Sequence, residues 1–298
     1  MQAAGVQSKR GGAHARRVAG QWVKTILSFL LFLLFMAPFI LVVINSAKTA
    51  VEISLSPVSL PSNWGQMGEN IANTLNNPNF SYWSAFRDSA IITFFSLVVI
   101  VLASAMCAWV LVRNKTWWSN LIFMILVASM VIPFQVVMLP LVQWLRMMGY
   151  FLGIKLSGTY VGIVLCYLGF GMALSVFIFH GFIKTVPLEL EEAADIDGCS
   201  RAGVFFRIVL PLLQPTAVTV LILNGIWIWN DYLLPLLVLG SNGSVQTLPL
   251  AVSMFAGSYI KQWDLLLTST LLAMLPVIVL FIFAQRYIIK GMVEGSIK

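Results

Sequence analysis

Charge is what this sequence lacks most. Only 10% of its 298 residues are Asp, Glu, Lys or Arg, against about 25% in soluble domains. So few charges cannot cover a water-exposed surface of this size. Hydrophobic residues make up 59% and mean hydropathy is +0.91, so the excess apolar surface must face lipid. Other scarcities exclude chemistry. The three cysteines, Cys107, Cys166 and Cys199, form no CxxC or Cys/His spacing, which leaves metal: none, and they read as small buried or incidental thiols. The two histidines, His14 and His180, are far apart, and His180 reads as a polar tip or a cation at a helix C-terminus. Catalytic residues: none, for no Ser/His/Asp set is visible. No Gly-Lys dipeptide occurs, so the chain has no phosphate loop for a nucleotide. The net charge of +7 does not indicate nucleic acid, because the basic residues lie between apolar runs rather than along one face.

What is present is a series of apolar runs. A bilayer needs about 20 apolar residues per helix, and six runs qualify: 22–44, 89–112, 120–145, 159–183, 216–239 and 265–288. The first is longer than a signal-peptide core and has no Ala-x-Ala site after it, so it reads as a retained span. Pro133 and Pro140 in the third run and Pro276 in the sixth predict kinks. The fold class expected is all-α: a polytopic membrane protein with a tail at 1–21, a transmembrane domain at 22–288 and a tail at 289–298. An N-terminus inside places Lys9, Arg10, Arg16, Arg17, Lys24, Arg113, Lys115, Lys184, Arg201, Arg207, Arg286, Lys290 and Lys298 on the inner side. Only Lys48, Arg87, Arg146, Lys155 and Lys261 fall outside. That asymmetry predicts both termini in the cytoplasm. The outer loop 45–88 is turn-rich and ends in Phe80, Tyr82 and Trp83. Those aromatics fit either an interfacial belt or packing of a surface loop.

The longest inner loop, 184–215, departs from the charge pattern. Its core reads VPLELEEAADIDGCSRAGVFFRIVLPLLQP. Pro187 suits a first helical turn, and Glu189, Glu191 and Glu192 suit the positive end of a helix dipole. Ala193 and Ala194 are strong helix formers with small side chains. Gly198 stands where a left-handed C-cap is expected. A second helical stretch through Phe205, Phe206 and Ile208 follows, and Pro211 and Pro215 punctuate the start of the fifth run. An acidic, capped helix with a small-residue face predicts a surface that another protein approaches closely.

Here the chain resembles a family. Glu192-Ala193-Ala194, then Gly198, then Ile208, Leu210 and Pro211 match the E-A-A-x3-G-x9-I-x-L-P signature of permeases of ATP-binding-cassette importers. The resemblance implies the type I importer permease fold, with the loop as a coupling helix that docks on a separate ATPase, and Asp197 inside that docking element. It implies no cofactor bound by this chain, with ATP and Mg on the partner ATPase. Trp229-Asn230-Asp231-Tyr232 with Pro235-Leu236 resembles a stretch of carbohydrate permeases. The tail, with Gln285-Arg286-Tyr287, Gly295, Ser296 and Lys298, resembles the ending of the second permease of maltose-type sugar importers, so Gly295, Ser296 and Lys298 become candidate ATPase contacts. Cys199 and Ser296 stand where that family usually has alanine. The implied partners are a second permease forming a heterodimer, an ATPase dimer, an extracytoplasmic solute-binding protein, the lipid bilayer and a small-molecule sugar. The implied location is a prokaryotic inner membrane.

Within the fifth run, Trp227, Asn230 and Asp231 are candidates for the substrate pathway or for helix bridging. An acid inside a span is costly and is paired or faces water. Asn230 and Asp231 offer groups that bind sugar hydroxyls, and Trp227 and Trp229 offer flat faces. A self-contained secondary carrier or channel is the alternative, although few ionisable residues other than Asp231 are placed to couple it. Importers of polyamines or phosphate esters share the loop signature, so the solute class stays open between them and sugars.

Overall fold

A computed structural model describes residues 3–241, 243–257 and 262–296. Among the described residues every regular element is helical. The chain forms two compact units, one from 1–73 with 262–271, the other from 74–261 with 272–298.

The first unit contains α1 (Ala3–Asn45), α2 (Ala50–Leu55) and most of α3 (Gln66–Leu75), with the first turns of α14 (Trp263–Ser296). Helix α1 continues through part of the stretch expected as a tail. Its run Gly20–Asn45 is apolar and leaves its side chains uncovered, as suits a helix whose neighbour is lipid or another subunit. A polar corner closes its end. Asn45 Nδ2 donates to the carbonyls of Leu41 and Pro57, and the buried Lys48 Nζ donates to Asn45 Oδ1 and the Ser56 carbonyl. Asn70 Nδ2 donates to the carbonyls of Ser46 and Lys48, each at 2.9 Å. Backbone carbonyls that no helix satisfies are thus paired.

The second unit holds the larger core. Helix α4 (Tyr82–Arg113) starts seven residues before the expected span at 89 and contains neither proline nor glycine. Its buried residues recur every three or four positions: Ala85, Ser89, Ile92, Ser96, Ile100, Ser104, Ala108 and Leu111. This stripe of mostly small residues packs along α7 (Tyr160–Ile183), a close-approach pattern found between membrane helices. Gly171 of α7 marks the tightest point, where an added Cβ would lie 2.7 Å from Ile100 Cδ1.

Two spans depart from expectation. The third, expected as one kinked helix, is α5 (Trp117–Ser129) and α6 (Phe134–Leu152), turned by 108°. Pro133 takes the extended N-cap conformation before α6, and a proline cannot supply the donor that would continue α5. Pro140, by contrast, sits inside α6. The fifth span, expected as one helix over 216–239, is α11 (Gln214–Asn230) and a separate helix Leu233–Leu239. Among the described residues, three helices can cross a bilayer unaided by length and composition, and up to five if each bent pair counts once, with Trp263–Val279 as a shorter apolar helix. Of the aromatics at the start of α4, Phe80 and Tyr82 are buried, and Phe80 packs on Phe255 at 5.1 Å. Only Trp83, 70% exposed, is free to sit at an interface.

Candidate functional site

The inner loop folds into α8 (Glu189–Ile196) and a short composite helix. Three glutamates occupy the first turn of α8. Its end is a Schellman turn: Gly198 N donates to the Asp195 carbonyl and Cys199 N to the Ala194 carbonyl, with Gly198 at φ +81°, a conformation that disfavours any side chain. Ser200 then caps α9 (Arg201–Val204), its Oγ accepting from Gly203 N. A π-helical turn Phe205–Val209 and α10 (Leu210–Leu212) follow. Pro211 has no N–H for the Arg207 carbonyl, and the backbone opens to the wider spacing, with Leu210 N bonding to the Phe205 carbonyl.

One side of α8 is anchored. Glu191 is 2% exposed and accepts from Trp109 Nε1 at 2.9 Å and from Arg113 Nε at 2.8 Å and Nη2 at 2.7 Å. Arg113 Nη2 also donates to the Val186 carbonyl. A buried carboxylate with the charged donors on Oε1 and the neutral indole donor on Oε2 is held in one geometry. Ala194 is buried on the same side. The other side is open. Glu192, Ala193, Asp197 and Gly198 are exposed, and Ile196 is 86% exposed. With Leu188 and Leu190, also exposed, α8 presents apolar side chains among carboxylates. Ile208 and Leu210 pack against the core and Pro211 is exposed. The two alanines therefore divide: Ala193 lies on the open face and Ala194 on the anchored one.

The candidates in the fifth span separate in the same way. Asp231 ends α11 in an extended conformation, and its Oδ1 accepts from Leu233 N at 3.0 Å and Leu234 N at 3.5 Å. It thereby caps the next helix, α12 (Leu233–Leu239). Its Oδ2 accepts from Tyr167 Oη of α7 at 3.1 Å. Asn230 Nδ2 bonds back to the Ile226 carbonyl. Trp229 is buried against Phe86. Trp227 packs edge-on against Tyr167 and lines a groove of about 780 Å³. The groove lies among α5, α6, α7 and α11, with Met130, Phe134, Trp144 and Phe170 among its walls and Asn224 beside Trp227. Asn224 Nδ2 donates to Ser175 Oγ and the Val220 carbonyl, so it bridges α7 and α11.

Gly295 and Ser296 fall at the end of α14, and Lys298 lies outside the described residues. His180 is buried and stacks on Phe123 at 3.8 Å, an interior ring rather than an exposed tip. Sequence reading left out the partners that do the anchoring: Trp109, Arg113 and Tyr167, together with Asp88 and Tyr160 near the opposite end of α4. Their partners lie 64 to 82 positions away, beyond any local pattern.

These features define a helical membrane protein with an anchored, half-apolar loop helix. Residues 100–294 match the family described as binding-protein-dependent transport system inner membrane component. The chain belongs to that family, and it is a permease subunit of an ABC importer, a transport component rather than an enzyme. It is 41% identical over 278 residues to the probable starch degradation products transport system permease protein AmyC of Thermoanaerobacterium thermosulfurigenes, covering 93% of this chain and 97% of that one. It is 30% identical over 274 residues to the arabinooligosaccharides transport system permease protein AraQ of Bacillus subtilis, covering 92% and 94%. In fold it is similar to a chain of a bacterial ABC transporter involved in the import of the acidic polysaccharide alginate, with TM-score 0.73 and 18% identity over 92% of this chain and 97% of that chain. Membership of this family sets aside the self-contained carrier or channel.

Proposed function

We propose that this permease carries a sugar or oligosaccharide across the membrane as one half of a heterodimeric channel, and that α8 is the element through which a separate ATPase dimer drives it. The observation that carries the coupling role is the two-sided construction of α8. Glu191 fixes its back to the end of α4, while Glu192, Ala193, Ile196 and Asp197 stand open on its front. A lever needs a stiff attachment on one side and a complementary partner on the other. The second permease completes the pathway, a solute-binding protein delivers the solute outside, and both termini are cytoplasmic with six crossings between them. Gly295, Ser296 and Lys298 add a second ATPase contact. This chain binds no cofactor of its own, and ATP and Mg belong to the ATPase.

A carbohydrate solute is favoured by the relatives, whose names specify starch degradation products, arabinooligosaccharides and melibiose, raffinose and stachyose. The groove beside Trp227 and Trp144 is this chain's share of the pathway, for indole faces suit sugar rings. Asp231 bridges helices instead of touching solute.

The test is reconstitution with the second permease, the ATPase and the binding protein. Hydrolysis should appear only with the ATPase present and rise with loaded binding protein, and labelled oligosaccharide should accumulate. Gly198→Val and Ala193→Arg chains should reach the membrane yet lose ATPase pull-down or the rise in hydrolysis. Normal association and stimulation in both would show that α8 is not the coupling element. Uptake of a polyamine or phosphate ester in place of sugars would overturn the solute class.

A further inference from the structure

Helix α4 has a feature that neither the core nor the inner loop accounts for: it is pinned at both ends by a buried carboxylate bonded to another segment. At one end, its last residue Arg113, with Trp109, holds Glu191 of α8. Toward the other, Asp88 of α4 is 1% exposed. Its Oδ1 accepts from Tyr160 Oη, at the start of α7, at 2.7 Å, and from Arg87 Nε and Nη2 at 3.2 and 3.1 Å. Its Oδ2 accepts from the backbone N of Gln246 at 3.2 Å. The next residue, Ser89, accepts from Leu248 N at 2.8 Å. The segment held there leads into α13 (Leu248–Val252), whose Leu248, Leu250 and Ala251 are buried and which packs on α4.

Between these ties the helix runs 25 residues, about 38 Å at 1.5 Å per residue. It contains no proline or glycine, the residues at which helices bend. A continuous helix is stiff along its axis, and the stripe packed on α7 keeps it from sliding independently. Neither tie is needed to bury apolar surface. The Glu191 tie joins α4 to the loop 184–215, and the Asp88 tie joins it both to the first turn of α7 and to the segment 243–252.

We propose that α4 is a strut that links α8 to the outer segment 246–252, with Asp88 and Glu191 as positioning residues at its two ends. The proposal rests on the reading of α8 as the coupling element. Movement of α8 toward or away from the ATPase is passed by Glu191 to Arg113, along α4, and by Asp88 and Ser89 to the backbone of Gln246 and Leu248. The outer segment then shifts in step with the ATPase, on the face where a loaded binding protein must be sensed. Occupancy outside reaches the ATPase by the same route in reverse.

The experiment uses the full complex in lipid, measuring hydrolysis without and with loaded binding protein. Asp88→Asn and, separately, Ser89→Ala, which removes the acceptor of Leu248 N, change side-chain volume little and are expected to leave assembly and basal hydrolysis unchanged. Both should lower the stimulated-to-basal ratio by at least about fivefold, the lower range for coupling between distant sites. Glu191→Gln should lower the same ratio. The deciding measurement is the Asp88→Asn/Glu191→Gln double variant. Substitutions this far apart with no shared partner act independently, so two separate structural defects would multiply. A shared strut predicts a double variant no worse than its poorer single. A wild-type ratio in Asp88→Asn or, should that chain not assemble, in Ser89→Ala overturns the strut. So does a multiplicative double variant. If Glu191→Gln and Gly198→Val both stimulate normally, the coupling reading of α8 fails first and takes the strut with it. If they lose stimulation while Asp88→Asn keeps it, only the strut fails.

Discussion

Helix α4 and the α11–α12 pair are similar in length and apolarity, yet one is continuous and the other broken. Helix α4 runs 32 residues without proline or glycine. The stretch 214–239 begins after a 75° bend and breaks again at Asp231 and Tyr232. Both contain carboxylates with tyrosine donors, the buried Asp88 with Tyr160 and the half-buried Asp231 with Tyr167. The carboxylates do opposite jobs. Asp88 lies within its helix and reaches outward to a separate segment. Asp231 lies at a gap and turns inward, satisfying the N–H groups of Leu233 and Leu234 that the gap exposes. In a medium without water, every interrupted backbone group needs such a partner. A continuous helix leaves its acid free to tie other parts, and a broken one uses it to repair itself.

The comparison is broken most forcefully by giving α4 the defect that 214–239 already contains. Val98→Pro, on the exposed side of α4, removes little packing but interrupts the helix, at a cost of about 3 kcal/mol or more. Loss of the chain from the membrane fraction, or of complex assembly, is expected by immunoblot and pull-down. Pro215→Ala, an exposed residue at the first turn of α11, is expected to shift stability by only about 0.4–1 kcal/mol. Equal effects of the two substitutions on the melting temperature of the solubilised complex would erase the distinction between the regions.

A smaller effect sharpens the role of Asp231. Asp231→Ala removes a helix cap and is expected to cost about 0.5–2 kcal/mol, seen as a lower melting temperature with apparent solute affinity in uptake unchanged. Asp231→Asn retains the cap acceptor and should lie between Ala and wild type. A changed solute affinity with an unchanged melting temperature would return Asp231 to the pathway. The smallest effect is expected for Tyr167→Phe, which removes one hydrogen bond worth about 0.5–1.5 kcal/mol and retains the ring against Trp227. If it destabilises more than Asp231→Ala, the tyrosine has a role beyond that bond.

How far these features could be read from the sequence varies with their range. Gly198, placed as a left-handed cap from its position after a capped acidic helix, sits at φ +81°, because a helix stop is a local event. Pro211 and Pro215 punctuate the entry to the fifth run, standing in α10 just after the π turn and at the head of α11. Pro133 and Pro140 could not be told apart by type, and only one ends a helix. That choice depends on what packs around each, as neighbouring helices can satisfy the groups a proline frees. Phe80 and Tyr82 looked like belt residues as much as loop residues, and burial decided for the interior.

The sequence by itself determined that this protein lives in lipid, is helical, and carries a capped acidic helix in the loop 184–215. Composition, apolar run length and helix-stop chemistry act over twenty residues or fewer, so one strand of text contains them. The tertiary structure alone decided which acid anchors and which is presented. Glu191 and Glu192 are adjacent and chemically alike, but one is buried on Arg113 and Trp109 and the other is exposed. A helix turns its successive residues by about 100°, and which of two neighbours meets a partner is settled by the helix that packs behind it, here one whose contacting residues stand 78 and 82 positions away in the chain.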